Sequence, residues 1–120
     1  MKIENTKAQM RKGILEMCVL AIISHKEAYP SDIIQKLKEA KLIVVEGTLY
    51  PLLSRLKNAD LLQYEWKESS AGPPRKYYSL TGEGTDFLHG LKQTWEELQN
   101  AVQIATDLKA SQKSDQPNTL

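Results

Sequence analysis

At 120 residues, 41% hydrophobic and 26% charged, the chain has the composition of one globular domain with a modest core, not of a disordered or collagen-like polymer. No apolar run approaches the roughly 20 residues that span a bilayer, and nothing at the N-terminus resembles a cleaved signal. The single cysteine, Cys18, cannot close an internal disulfide, so no membrane partner and a reducing, cytoplasmic setting are expected. The net charge of +1 is unevenly spread: residues 1–80 hold 13 Lys+Arg against 9 Asp+Glu, and residues 81–120 hold 3 against 6. A basic body with an acidic C-terminal segment suits a protein that meets an anion at one end and itself at the other.

Residues 1–8 are polar and are expected to fray. From about Gln9 to Ser24 the pattern is helical: Met10, Ile14, Met17, Ala21 and Ile22 face one way, while Leu15, Cys18 and Val19 extend the apolar surface nearly all round. Such a helix is buried on more than one side, either at the domain centre or also in a dimer interface. Lys7, Arg11 and Lys12 at its start are in reach of a phosphate, although solvation is the commoner fate of a basic turn. After a connection at His25–Tyr29, Pro30 suits the first turn of a second helix, with Ser31 and Asp32 near its N-terminal dipole. Ile33, Ile34 and Leu37 give that helix a core stripe, and it is expected to end around Ala40. Leu42–Val45 is a β-branched link with the composition of a short strand.

The third helix organises the rest. Leu49, Leu52, Leu53 and Leu56 fall at i, i+3, i+4 and i+7, one stripe of an α-helix. Its opposite face is Gly47, Pro51, Ser54 and Asn58, with Thr48 and Arg55 on one flank and Tyr50 and Lys57 on the other. One side therefore anchors in a core, and the other is small, polar and partly cationic, as a helix pressed into a nucleic-acid groove must be. Val45 has no side-chain acceptor for the free amides of the N-terminus, and Pro51 crowds the carbonyl of Gly47, so an irregular first turn is expected, with Tyr50 projecting. Asn58, Ala59 and Asp60 close the helix. Helix, short connection, helix is the helix-turn-helix plan.

A hairpin follows. Leu62, Tyr64 and Trp66 alternate with Gln63, Glu65 and Lys67, the period of a half-buried strand. Ser69–Pro74 has turn composition, and Arg75–Leu80 returns with Tyr78 and Leu80 facing inward. Lys67, Arg75 and Lys76 cluster around the tip, which is where a wing touches backbone phosphates beside a groove. Thr81 is placed as the N-cap of a long helix expected to run to about Leu108. Along it Leu88, Leu91, Trp95, Leu98, Val102 and Ala105 repeat at spacings of 3 and 4, a heptad seam that a second copy of the chain covers economically. Packing back on the first helix is the competing use of that stripe. Ala110–Leu120 has no periodicity and reads as a disordered tail.

The run GTLYPLLSRLKNADLL, followed at wing spacing by GPPRKYYSLT and then one long helix, resembles the PadR family of bacterial transcriptional regulators. RKGILEMCVLAII is similar to the opening helix of that family, so the likeness covers roughly residues 9–108, and the single short C-terminal helix resembles its subgroup with a small C-terminal part. The resemblance implies a homodimeric winged-helix repressor, commonly of detoxification or efflux genes, released in some relatives by a phenolic or planar aromatic effector. It places Thr48, Tyr50 and Arg55 in the recognition-helix motif and Arg75 and Lys76 in the wing motif. Trp95 falls where some short-form relatives carry an aromatic at the dimer interface. Five positions depart from the pattern: Asp60 stands for a glycine, Pro73 for an arginine, Pro30 and Ser31 for a glycine–aromatic pair, and Val45 for a polar or glycine cap.

The fold class expected is mainly α with a small β-hairpin: a winged helix-turn-helix over residues 1–80, a dimerisation helix over 81–109 and a tail over 110–120. The DNA-binding set is Thr48, Tyr50, Ser54, Arg55, Asn58, Lys67, Arg75 and Lys76. Leu88, Leu91, Trp95, Leu98 and Val102 form the dimer seam, and Trp95 is also the effector-binding candidate. Indole at a seam position is more often core filler than stacking platform. His25, His89, Cys18 and the carboxylates show no metal spacing, triad or phosphate loop, so no enzyme, metal or cofactor is expected. A winged helix that binds protein instead of DNA is the alternative function.

Overall fold

Helix formation sets in earlier than the apolar pattern indicates. The computed structural model describes residues 1–70 and 72–107. Its elements in order are α1 (Ile3–His25), α2 (Pro30–Glu39), α3 (Glu46–Asn58), β1 (Leu62–Ser69), β2 (Gly72–Leu80) and α4 (Gly82–Thr106). The chain divides into two compact units, Met1–Leu88 and the stretch from His89 on, with the division inside α4. The end of the expected final helix at Leu108 and the expected tail, Ala110–Leu120, lie outside the described residues.

In the first unit α1 starts at Ile3, so residues 3–8 are helical and not frayed. Lys7, Ala8 and Gln9 are good helix formers, and no glycine or proline occurs before Gly13. Its buried face also differs from expectation. Only Val19, Leu20 and Ile23 are buried, while Met10 is exposed and Ile14 to Cys18 are half-buried. The reason is tertiary: α1 packs on α2 and β2, and the buried residues all lie in its C-terminal half.

Pro30 opens α2, and the Tyr29 amide donates to Asp32 Oδ2 at 3.3 Å, which satisfies one of the helix's orphan donors. Ile33 and Leu37 are buried, as their spacing requires. Both α2 and α3 leave through a left-handed residue that is not glycine. Lys41 has φ 67° and Asp60 has φ 64°. The following amides then bond back, Leu42 to the Leu37 carbonyl at 2.8 Å and Leu61 to the Leu56 carbonyl at 3.0 Å. Asp tolerates this conformation better than Lys, which gains no local hydrogen bond from it. Replacing Lys41 by glycine is therefore expected to stabilise the chain by about 1 kcal/mol, read as a rise of about 4 °C in thermal unfolding.

Leu42–Val45 is not a strand. It is an irregular link with Ile43 and Val45 exposed, because no strand among the described residues pairs with it to form a ladder. α3 runs unbroken through Pro51, and the irregular first turn expected there is absent. The Val45 carbonyl accepts the amides of Thr48 (3.0 Å) and Leu49 (3.1 Å), which closes the N-terminal turn without a side-chain cap. Leu49, Leu52, Leu53 and Leu56 are all buried, as the stripe predicts. At about 1.5–3 kcal/mol per buried leucine, that stripe seats α3 firmly.

β1 and β2 form a two-stranded antiparallel sheet in the register Leu62–Leu80, Tyr64–Tyr78, Trp66–Lys76 and Lys67–Arg75. The strands extend further than expected, so Pro73 and Pro74 belong to β2 instead of the turn. They fall between the pairs Lys67–Arg75 and Ser69–Gly72, where the register already shifts and a missing amide disturbs no regular ladder. Leu62 and Tyr78 are buried and Leu80 is half-buried, but Trp66 is exposed, a correction to its half-buried assignment. Ala28, in the link before α2, bridges Tyr78 through amide–carbonyl bonds of 3.1 and 2.8 Å.

α4 begins where its cap was expected. The Gly84 amide donates to Thr81 Oγ1 at 2.9 Å, and that hydroxyl donates to the Asp60 carbonyl at 2.6 Å. The Thr81 amide donates to the Leu61 carbonyl at 3.1 Å. Gly84 and Leu88 are buried and complete the core of the first unit.

Within the described residues the second unit consists of the remainder of α4 and Asp107. Leu91 is half-buried there, whereas Leu98 is 54% and Val102 56% exposed. Trp95 and Ile104 are exposed as well. No helix among the described residues is long and apolar enough to cross a membrane.

Candidate nucleic-acid interface

The outer face of α3 comes together as its periodicity requires. Thr48, Tyr50, Ser54, Arg55, Lys57 and Asn58 are all exposed, and from Gly47 to Asn58 the helix holds no acidic residue. A helix with a leucine-filled underside and this upper face can approach a polyanion closely.

Arg55 is not free on that face. Its Nη2 donates to Glu16 Oε1 of α1 at 2.7 Å, across 39 residues of sequence. The contact takes one of the five N–H groups of the guanidinium and leaves the others available. Exposed pairs of this kind contribute about 0.2–1 kcal/mol, so the bond orients Arg55 more than it holds the fold. Glu16 was absent from the sequence-based site. Its signal was present nonetheless, as a lone carboxylate interrupting an apolar helix.

The three wing cations separate onto two faces of the hairpin. On one, Lys67 donates to Glu27, with Glu65 3.8 Å away, and its ammonium lies 5.2 Å from the Tyr77 ring centroid. The hydrogen bond to Glu27 is the main reason the Lys67 pKa is held above its ordinary value. Arg75 stacks on the same side, 4.5 Å from the Tyr29 ring, and Tyr29 meets Tyr77 edge-on at 5.2 Å. Both cations are thus occupied against the link between α1 and α2.

Lys76 points the other way. Its ammonium lies 4.4 Å from the Tyr64 ring and 5.4 Å from the Trp66 ring. Lys57 of α3 approaches Tyr64 at 5.8 Å, so this face joins the recognition-type helix to the hairpin. Tyr78 lies beneath, 5.5 Å from Tyr64, and its phenol pKa is raised by burial, with smaller contributions from Tyr64 and Tyr50. Sequence reading placed Lys57 on a flank of α3 but left it out of the site, because its closeness to Tyr64 depends on how the hairpin packs.

Among the described residues the remaining reactive groups form no second centre. No three His, Cys, Asp or Glu side chains among the described residues group to hold a metal. The Cys18 thiol is pushed up by burial, away from the thiolate that would react.

Three helices, an exposed polar face on the third and a basic hairpin after it define a winged helix-turn-helix. The sequence pattern of the transcriptional regulator PadR-like family matches residues 19–90. The chain belongs to that family, and it is accordingly a DNA-binding transcriptional regulator and not an enzyme. A PadR-like transcription factor from Bacteroides fragilis is 65% identical, with a TM-score of 0.70, the match covering 82% of this chain and 95% of that one. A PadR-like transcriptional regulator from Bacillus cereus is 40% identical, with a TM-score of 0.74 and coverage of 82% and 96%. A PadR family transcriptional regulator from Eggerthella lenta is 30% identical, with a TM-score of 0.81 and coverage of 88% and 93%.

Proposed function

We propose that the chain is a cytoplasmic homodimeric repressor that binds a pseudo-palindromic operator. Residues 1–80 form the DNA-binding part, and α4 supplies the dimerisation helix. The observation that carries this reading is the outer face of α3, exposed, free of acidic residues after Glu46 and flanked by Lys57 and Lys76. In a two-fold dimer, two such helices enter successive major grooves about 34 Å apart. Ser54 and Asn58 allow close approach, while Thr48, Tyr50 and Arg55 meet base edges or phosphates. Lys76 takes the flanking backbone, and Lys67 and Arg75 must leave Glu27 and Tyr29 to do the same.

Leu88, expected in the seam, is instead buried in the core of the first unit, and Leu91 is half-buried. The exposed part of the seam, Trp95, Leu98 and Val102, is what supports self-association, since apolar stripes of this spacing bury against a second helix. An aromatic effector stacked on Trp95 between subunits would favour a spacing of the recognition helices that does not fit the operator. Trp95→Ala separates the two roles of the indole. A stable dimer that no longer binds an aromatic ligand marks a pocket, and a lost dimer marks a core residue.

The testing experiment is the affinity of the purified chain for its own upstream DNA and a scrambled duplex across a salt series. Specific binding that falls steeply with salt is expected. Affinity for neither duplex at any salt would overturn the reading. In the same assay Arg55→Ala is expected to weaken binding roughly tenfold and to flatten the log–log salt slope by about 1 if the residue contacts a phosphate.

A further inference from the structure

The hairpin face beside α3 carries an unexplained side chain. Trp66 is 62% exposed, although its alternation with Gln63, Glu65 and Lys67 would place it inward. Its neighbours are Tyr64, edge-on at 6.4 Å, and Lys76, its register partner, whose ammonium is 5.4 Å from the indole. Lys57 extends the same surface from α3 through Tyr64. Among the described residues neither Lys57 nor Lys76 has a carboxylate partner, whereas Lys67 on the opposite face is held by Glu27. A large indole beside one ammonium group, with a second ammonium reaching the adjoining Tyr64 ring and neither paired to a carboxylate, is complementary to a polyanion that alternates charged and apolar groups. Duplex DNA presents that pattern along its backbone, as phosphate and deoxyribose.

We propose that Trp66, Lys76 and Lys57 form a backbone-docking platform, on which the indole packs against deoxyribose beside the half-site while the two ammonium groups take adjacent phosphates. This rests on the operator-binding reading and assigns the wing an apolar contact in addition to its cations. The two kinds of contact differ in their response to salt. A lysine that neutralises a phosphate releases condensed counterions and steepens the salt dependence, whereas an indole on a sugar releases none. The Trp66 contribution is therefore the same at every ionic strength.

The test uses the full chain, its own upstream duplex and a random duplex, with affinity measured by fluorescence anisotropy across a salt series. Trp66→Ala is expected to weaken binding roughly tenfold at each salt concentration with the slope unchanged, and Trp66→Phe to retain most of the affinity. Lys76→Ala is expected to flatten the slope by about 1. Thermal unfolding checks that each variant is folded, and Trp66→Gln carries the same test if Trp66→Ala is not. Unchanged affinity in a folded Trp66 variant overturns the platform. So does a flattened slope matching that of Lys76→Ala, since the indole would then only hold the lysine in place. Wild-type chain that binds neither duplex removes the operator reading itself, a failure distinct from indifference to Trp66.

Discussion

Gly84→Ala is expected to destabilise the chain by about 3 kcal/mol or more, lowering its melting temperature by roughly 10 °C or more. An added Cβ would lie 2.0 Å from the Leu61 carbonyl oxygen and 3.0 Å from its carbon. Those atoms are backbone and cannot rotate aside. The same carbonyl accepts the Thr81 amide, and the Gly84 amide donates to the Thr81 hydroxyl, so moving α4 away strains both bonds and the Thr81 hydroxyl bond to Asp60. Alanine gains about 0.8–1 kcal/mol of helix propensity over glycine, too little to offset the clash. Gly90→Ala provides the control, because nothing lies within 4 Å of its Cβ position and the substitution lies outside the seam. It is expected to raise stability by up to about 1 kcal/mol. Equal melting temperatures for the two variants would show that α4 is not held against Leu61 as described.

Leu98→Glu is expected to convert the proposed dimer to monomer and to abolish tight operator binding. Leu98 is 54% exposed in the single chain, and its neighbours in the seam, Trp95 and Val102, are exposed with it. Burial of a leucine is worth about 1.5–3 kcal/mol, and a symmetric interface contains the residue twice. Its loss alone therefore costs about 3–6 kcal/mol, or 10²–10⁴ in the dimer dissociation constant, before any repulsion between the two carboxylates. Operator affinity is expected to fall about 100-fold or more, because the second half-site then no longer binds intramolecularly. Sedimentation equilibrium reads the mass, and the salt-series binding assay reads the DNA. Glu96→Gln, on the same helix but outside the seam, is expected to change neither. A Leu98→Glu chain that sediments as the wild type does would remove α4 from the interface.

Much of this molecule was legible in short-range pattern. The leucine stripe of α3, its close at Asn58–Asp60, the alternation at Leu62 and Tyr64 and the Thr81 cap all rest on residues within a few positions of one another. Propensity also accounts for the early start of α1, which the apolar periodicity missed because the first two turns bury nothing. Trp66 shows where alternation stops being informative. The period predicts which face of the hairpin a side chain joins, but not whether the core extends far enough to cover it.

The sequence by itself determined the helix-turn-helix order, the hairpin, the long final helix and the polar face of α3, and its motifs carry the family. Local periodicity and capping specify these, whatever lies across the domain. Only the tertiary structure decided which cations of α3 and the hairpin are committed and which, among the described residues, have no carboxylate partner. Arg55 meets Glu16 across 39 residues and Lys67 meets Glu27 across 40, while Lys76 turns toward Tyr64 and α3. It also decided that Gly84 must remain a glycine, because the Leu61 carbonyl reaches it only after β1, β2 and the start of α4 have folded together. Such pairings depend on the packing of whole elements, and no periodicity in the chain encodes that distance.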